Sequence, residues 1–153
     1  MAARFSTFLL AFCIIFTLAP WTVHGHGRMI IPIGREGSTD APITDLPCNN
    51  LPAGDSVATF VAGAKTQLAY SITEVHDPTS TCYIDIASGS GDGSFTKIAT
   101  LEQCASYLGT YVANVQFPTD ITGKATLRWW WHVQSINVTF ATCSDITVVN
   151  GSS

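Results

Sequence analysis

The sequence is short of charge, and shortest of positive charge. Asp, Glu, Lys and Arg make up 12% of the 153 residues, with seven Lys plus Arg against eleven Asp plus Glu. No basic run occurs anywhere. This argues against nucleic acid and anionic membrane as partners, and gives a strongly anionic substrate little long-range attraction. Cys-x-x-Cys pairs are also missing. The five cysteines stand far apart, which argues against a zinc site. No apolar run reaches the about 18–20 residues that a membrane span needs. There is no internal repeat and no long linker.

What is present begins with a secretory signal. Arg4 supplies a positive start, Phe8 to Ala19 an apolar stretch, and Val23 and Gly25 small or modest residues at −3 and −1 of a cut before His26. A cut after Ala19 is disfavoured because Pro20 would follow it. Residues 1–25 are therefore expected to be a signal peptide, and the protein to be secreted and extracellular, with no membrane attachment after cleavage. The remaining 128 residues suit one domain with its own core. Arg4 leaves with the signal, so the domain carries six Lys plus Arg against eleven acids. Cys13 leaves too. Cys48, Cys82, Cys104 and Cys143 then form an even set, read as two disulfides with three possible connectivities. Asn137-Val-Thr139 and Asn150-Gly-Ser152 are N-glycosylation acceptors.

Residues 32–56 are rich in Pro, Gly, Asp, Asn and Thr, and are expected to be irregular and tied down at Cys48. Beyond them the pattern is β. Val57–Val61 is a short apolar run, Thr66–Thr73 alternates Leu68, Tyr70 and Ile72 on one face, and Cys82–Ile86 alternates as well. Ser88–Ser94 is a glycine-rich turn. Phe95–Leu101, Tyr111–Phe117, Ala125–Val133 and Ile146–Val149 are further strands, and Leu101–Tyr107 is the one stretch with room for a helical turn. Short strands punctuated by Gly, Pro and Asp predict an all-β, antiparallel β-sandwich over 26–149, with 150–153 as a frayed tail.

Placed first in the mature chain, His26 gains chemistry. Its α-amino nitrogen and ring Nδ1 can close a chelate ring on a metal. An α-amine pKa of about 7.7–8.0 makes the required deprotonation inexpensive at neutral pH. A third nitrogen from another histidine suits Cu(II) and its preference for tetragonal nitrogen and oxygen fields. Alone, His26 is simply the residue after the cut. Two histidines can supply the third nitrogen. His76 lies in an interstrand loop that Cys82 fixes, whereas His132 sits in the apolar strand Trp129-Trp-Trp-His132, so His76 is preferred. In that strand Trp129 and Trp131 face one way and fill a core, while Trp130 and His132 face the other. Trp130 either covers part of a sheet face or stacks a sugar ring. Tyr107 and Tyr111 are weaker candidates for sugar contacts.

Together these residues resemble the lytic polysaccharide monooxygenases, copper enzymes with a histidine brace. The matching features are His26-Gly-Arg-Met, Pro32, Arg35, the His76 loop leading to Cys82, Gly91-Asp-Gly-Ser-Phe95 and Cys104. They continue with Leu127-Arg-Trp-Trp-Trp131 and Phe140-x-x-Cys143-x-Asp145, and so run along the whole mature chain. The short length and the chain ending are most similar to the short oomycete family that attacks pectin.

The resemblance implies an immunoglobulin-like or fibronectin-like sandwich with the pairs Cys48–Cys143 and Cys82–Cys104. It implies one copper per chain on a fairly flat, exposed face, held by His26 as a bidentate ligand and by His76, with Phe140 in the axial position. O2 or H2O2 would be the co-substrate, an external reductant the electron donor, and a polysaccharide the substrate of a monomeric enzyme. Pectic homogalacturonan comes first, with cellulose or chitin open. Three features depart from the pattern. Phe140 stands where many relatives carry Tyr. Val138 occupies the place of a Gln or Glu that would serve the bound oxygen species, which leaves Gln134 as the substitute. The His76-to-Cys82 spacing also differs from the tighter glycine-rich version. The alternative of another class is a secreted, non-catalytic copper-binding protein for uptake or storage, which a copper-coordinating carboxylate would favour. A metal-free carbohydrate-binding or effector sandwich is the third.

Overall fold

The computed structural model describes residues 26–89 and 93–151. The expected signal segment, residues 90–92 of the glycine-rich turn, and residues 152–153 of the expected tail lie outside the described residues. The strands are β1 (Gly27–Ile31), β2 (Ala58–Val61), β3 (Lys65–Ile72), β4 (Cys82–Ser88), β5 (Thr96–Leu101), β6 (Gly109–Gln116), β7 (Gly123–Val133) and β8 (Val138–Val149). They form a three-stranded sheet, β1-β3-β6, packed on a five-stranded sheet, β2-β8-β7-β4-β5. The expected all-β sandwich is observed, and the disulfides pair Cys48 with Cys143 and Cys82 with Cys104.

The tryptophan triplet shows how the sequence pattern builds the core. Strand alternation sends Trp129 and Trp131 inward, both at 0% exposure, and leaves Trp130 half-buried on the outer face. Phe117, Phe140, Met29 and Leu127 complete the interior between the sheets.

Four features differ from the sequence expectation. Strand β1 was not expected, because a five-residue strand opening on Gly27 carries too little alternation to read. Strand β8 begins at Val138 rather than Ile146. Its first half is hidden by hydroxyl and acid residues, yet Thr142, Ser144 and Asp145 are buried. Neighbours satisfy their polar atoms: the Thr142 hydroxyl accepts from Met29 N at 3.2 Å, and the Ser144 hydroxyl donates to Pro32 O at 3.3 Å. In Leu101–Tyr107 there is no helix; residues 102–105 form a turn, held by Cys104 N donating to Ser80 O at 3.0 Å and by the disulfide to Cys82. Finally, β2 pairs with β8 in parallel, although the other strand pairings are antiparallel. The chain reaches β2 only after the 32–56 segment, where Val57 N donates to Asp145 O at 2.8 Å and starts β2 running alongside β8.

That irregular segment is tied down at more than Cys48. The buried Arg35 guanidinium donates from Nη2 to Asp145 Oδ1 at 2.8 Å and from Nη1 to Leu51 O at 2.8 Å. Asp145 Oδ2 also accepts from Gly54 N at 2.8 Å. Arg35 and Asp145 thus clamp the segment to β8, which is a structural role.

Candidate metal centre

His26 enters the structure immediately before β1. A Cβ at Gly27 would lie 2.9 Å from both Ile72 Cδ1 and Trp129 Cη2, so only glycine lets the chain pass this close over the core. The backbone of His26 is held from two sides. Its N donates to Asp40 O at 2.9 Å, and its carbonyl accepts from Thr73 N at 3.1 Å.

His76 arrives from the connection between β3 and β4. Asp77 shapes that loop by accepting from both the hydroxyl (2.7 Å) and the backbone N–H (2.9 Å) of Thr79. The same two bonds, the hydroxyl first, hold the Asp77 carboxyl below the usual carboxylate range. Phe140 comes from β8, opposite Trp131 of β7. The site therefore lies where the two sheets meet, and the bond from Thr73 N to the His26 carbonyl ties the first two segments together.

The three rings pack together. His26 stacks on His76 with centroids 4.7 Å apart and on Phe140 at 4.9 Å, while His76 and Phe140 are 5.8 Å apart. Trp131 lies 5.1 Å from Phe140 and 5.8 Å from His76, at the side away from solvent. Both imidazoles are mostly shielded, with side-chain exposures of 15% and 14%. His26 Nδ1 and His76 Nε2 are both buried, and the latter has no hydrogen-bond partner among the described residues.

The outer nitrogens face a carboxylate. Glu74 Oε2 is 3.3 Å from His26 Nε2, and Glu74 Oε1 is 4.0 Å from His76 Nδ1. One donor atom from each of His26, Glu74 and His76 lies within 4.8 Å of the other two, so these residues can together surround a metal ion. Sequence reasoning missed Glu74, which stands two residues before His76 in the same bent connection.

The other candidates lie elsewhere. His132 is exposed on the outer face of the five-stranded sheet, its Nδ1 3.0 Å from Thr139 Oγ1. Gln134 is exposed just after β7 and lines a groove with Asp77, Trp130 and His132. Val138 is half-buried against the core. Tyr107 and Tyr111 stack on each other at 4.4 Å, and Tyr111 also stacks on buried Tyr70 at 5.0 Å. Asn137 and Asn150 are both exposed.

The fold has counterparts among solved structures. An AA10 lytic polysaccharide monooxygenase from Streptomyces lividans aligns with a TM-score of 0.63 at 14% identity, covering 80% of this chain and 99% of that one. The catalytic domain of a lytic polysaccharide monooxygenase from Listeria monocytogenes aligns with a TM-score of 0.61 at 17% identity, over 82% and 100%. An AA10 enzyme from Photorhabdus luminescens gives 0.57 at 10% identity, over 82% and 100%. The chain has the AA10 fold. No family model and no curated protein sequence matches it. At these identities the likeness is one of architecture alone.

Proposed function

We propose that the mature chain, starting at His26, is a secreted copper-dependent lytic polysaccharide monooxygenase. The observation that carries this reading is the pairing of His26 and His76 at the sheet junction, with a buried, unpartnered Nε2 on His76. A buried imidazole nitrogen without a hydrogen bond is costly unless something else occupies its lone pair. Nitrogen-rich donor sets of this kind suit copper. Cleavage after Gly25 would add the α-amine of His26, already located by its bond to Asp40 O.

In that reading the amine and Nδ1 of His26 and Nε2 of His76 hold the metal. When bound, copper supplies one-electron redox chemistry with O2 or H2O2, driven by an external reductant and directed at a C–H bond beside a glycosidic linkage. The chain's own residues do the rest. Glu74 Oε2, 3.3 Å from His26 Nε2, favours the tautomer that carries its proton on Nε2, so that Nδ1 is the nitrogen turned to the metal. Phe140 offers no donor atom; with Trp131 it keeps water from the inner side of the histidines. Gln134 stays a candidate for substrate contact rather than for the metal, since it lines the neighbouring groove.

Homogalacturonan is the substrate that the sequence resemblance brings forward, with cellulose and chitin as neutral alternatives. The test is to load the processed protein with copper and supply ascorbate and peroxide with pectin, cellulose, chitin and xylan. Oxidised oligosaccharides from one of them are expected. Copper loading without such products from any would overturn the reading.

Glu74 favours a second reading, a copper-binding protein without catalysis, because its carboxylate stands within the donor group. Electron paramagnetic resonance of the copper protein separates the two. A spectrum that changes between wild type and Glu74→Gln through loss of an oxygen ligand selects the carrier.

A further inference from the structure

Residues 35–43 form an arch that stands on β8 at both ends. Arg35 N donates to Cys143 O at 2.8 Å, and Ile43 N donates to Thr139 O at 2.8 Å. Phe140 lies between these two footings along the strand. Close approach is possible because Gly34 carries no side chain: a Cβ there would lie 2.5 Å from Thr142 Cγ2. Within the arch, the Asp40 carbonyl accepts from two successive N–H groups, His26 at 2.9 Å and Gly27 at 3.2 Å. The Asp40 carboxylate accepts from the Thr73 hydroxyl at 3.5 Å. We propose that this arch is the positioning element of the metal centre, with the Asp40 carbonyl orienting the amino-terminal nitrogen.

The rest of His26 is already held. Its carbonyl accepts from Thr73 N at 3.1 Å, and its ring stacks on His76 and Phe140. In the processed chain this leaves one freedom, rotation of the primary amine about the N–Cα bond, which decides where the nitrogen lone pair points. An N–H given to Asp40 O removes that freedom before any metal binds, so binding does not have to supply the ordering. The acceptor is itself fixed, because both lone pairs of the carbonyl have a donor and one of these belongs to β1. Both footings lie on the same strand as Phe140, so the amine, the His26 ring and Phe140 share one support. A carbonyl that orients a ligating nitrogen acts as the partners of metal-bound imidazoles do, where such contacts are worth about 10–100-fold in affinity.

The inference rests on the copper reading of the centre, and its experiment separates the two. Asp40→Gly frees the arch backbone and removes the tether to Thr73, whereas Asp40→Asn keeps an oxygen for that hydroxyl. Each variant is made in the processed form and in a form that retains residues before His26, and its fold is checked by circular dichroism. Cu(II) affinity is read by competition with a chelator. In the processed form Asp40→Gly should weaken binding about tenfold, and Asp40→Asn should restore most of it. In the extended form the first nitrogen is an amide, so Asp40→Gly should leave the residual affinity unchanged. A loss of the same size in both forms would mean a merely structural role and overturn the proposal. So would wild-type affinity in processed Asp40→Gly. Without metal, hydrogen exchange at the Gly27 amide should quicken several-fold in Asp40→Gly, and unchanged exchange there would also count against the arch. Failure of the processed wild type to bind copper would defeat the metal reading and, with it, the purpose assigned to the arch. Copper binding indifferent to Asp40→Gly would defeat the arch alone.

Discussion

At the scale of single residues, the decisive group is Glu74. It is 53% exposed, and surface carboxylates near histidines usually contribute little to stability. Its effect should appear in metal affinity, because a carboxylate that orients a ligating imidazole is worth about 10–100-fold there. Glu74→Ala is therefore expected to weaken Cu(II) binding by about that factor, as read by competition with a chelator, with little change in unfolding free energy. Equal copper affinity in the variant would remove Glu74 from the site. A second residue acts at alkaline pH. Burial, followed by the nearby phenols of Tyr111 and Tyr107, pushes the Tyr70 hydroxyl well above the ordinary tyrosine value. The unfolded chain ionises this phenol from about pH 10 while the folded chain retains the proton, so folding stability falls as pH rises beyond that point. Urea denaturation at pH 9 and pH 11 should show the loss, and Tyr70→Phe should reduce it. An equal loss in the variant would assign the effect to other groups.

At the scale of elements, the site depends on two anchors outside it. One is the clamp between the 32–56 segment and β8. Removing one partner of a buried ion pair leaves the other uncompensated, so Asp145→Ala should cost about 3–5 kcal/mol in denaturant unfolding. A cost near that of an ordinary surface substitution would show that Arg35 finds other partners. The second anchor is the close passage of β1 over Trp129. Gly27→Ala must displace both Ile72 and the indole, or the strand itself, and should destabilise by about 1–3 kcal/mol. It should also weaken copper binding, because His26 moves with the strand.

Much of the element order was legible because most strands alternate apolar and polar residues. Strand β8 was only half legible: its buried Thr142, Ser144 and Asp145 have the composition of a loop, and the hydrogen bonds that allow their burial come from segments far away in sequence. The preference for His76 over His132 was legible from its place in a loop fixed by Cys82, and the family resemblance added the ligand roles. Spacing alone does not say which loop meets the start of β1. Asp40 holds His26 N through its backbone carbonyl, a contact that leaves no side-chain signal to read.

At the scale of the whole molecule, the proposed centre joins the sheets. His26 precedes a strand of the smaller sheet, Phe140 belongs to the larger one, and His76 lies on the connection between them. A ligand that binds only the folded arrangement stabilises it by mass action, by about 2.7 kcal/mol at a hundred times its Kd. Processed protein should thus show a higher melting temperature with copper than without. Protein that retains residues before His26 should show a smaller rise, since its first nitrogen stays an amide. An equal rise in both forms would mean that the α-amine takes no part in binding.

The position of β1 carries one more consequence. It forms the border of its sheet, with β3 as its hydrogen-bonded neighbour, and it is only five residues long. Such a segment opens locally before the rest of the molecule does. Amide exchange at Gly27 to Ile31 is then expected to follow occupancy of the proposed centre, faster without metal than with it. Equal exchange with and without copper would show that the border strand is held by its own sheet and not by the centre.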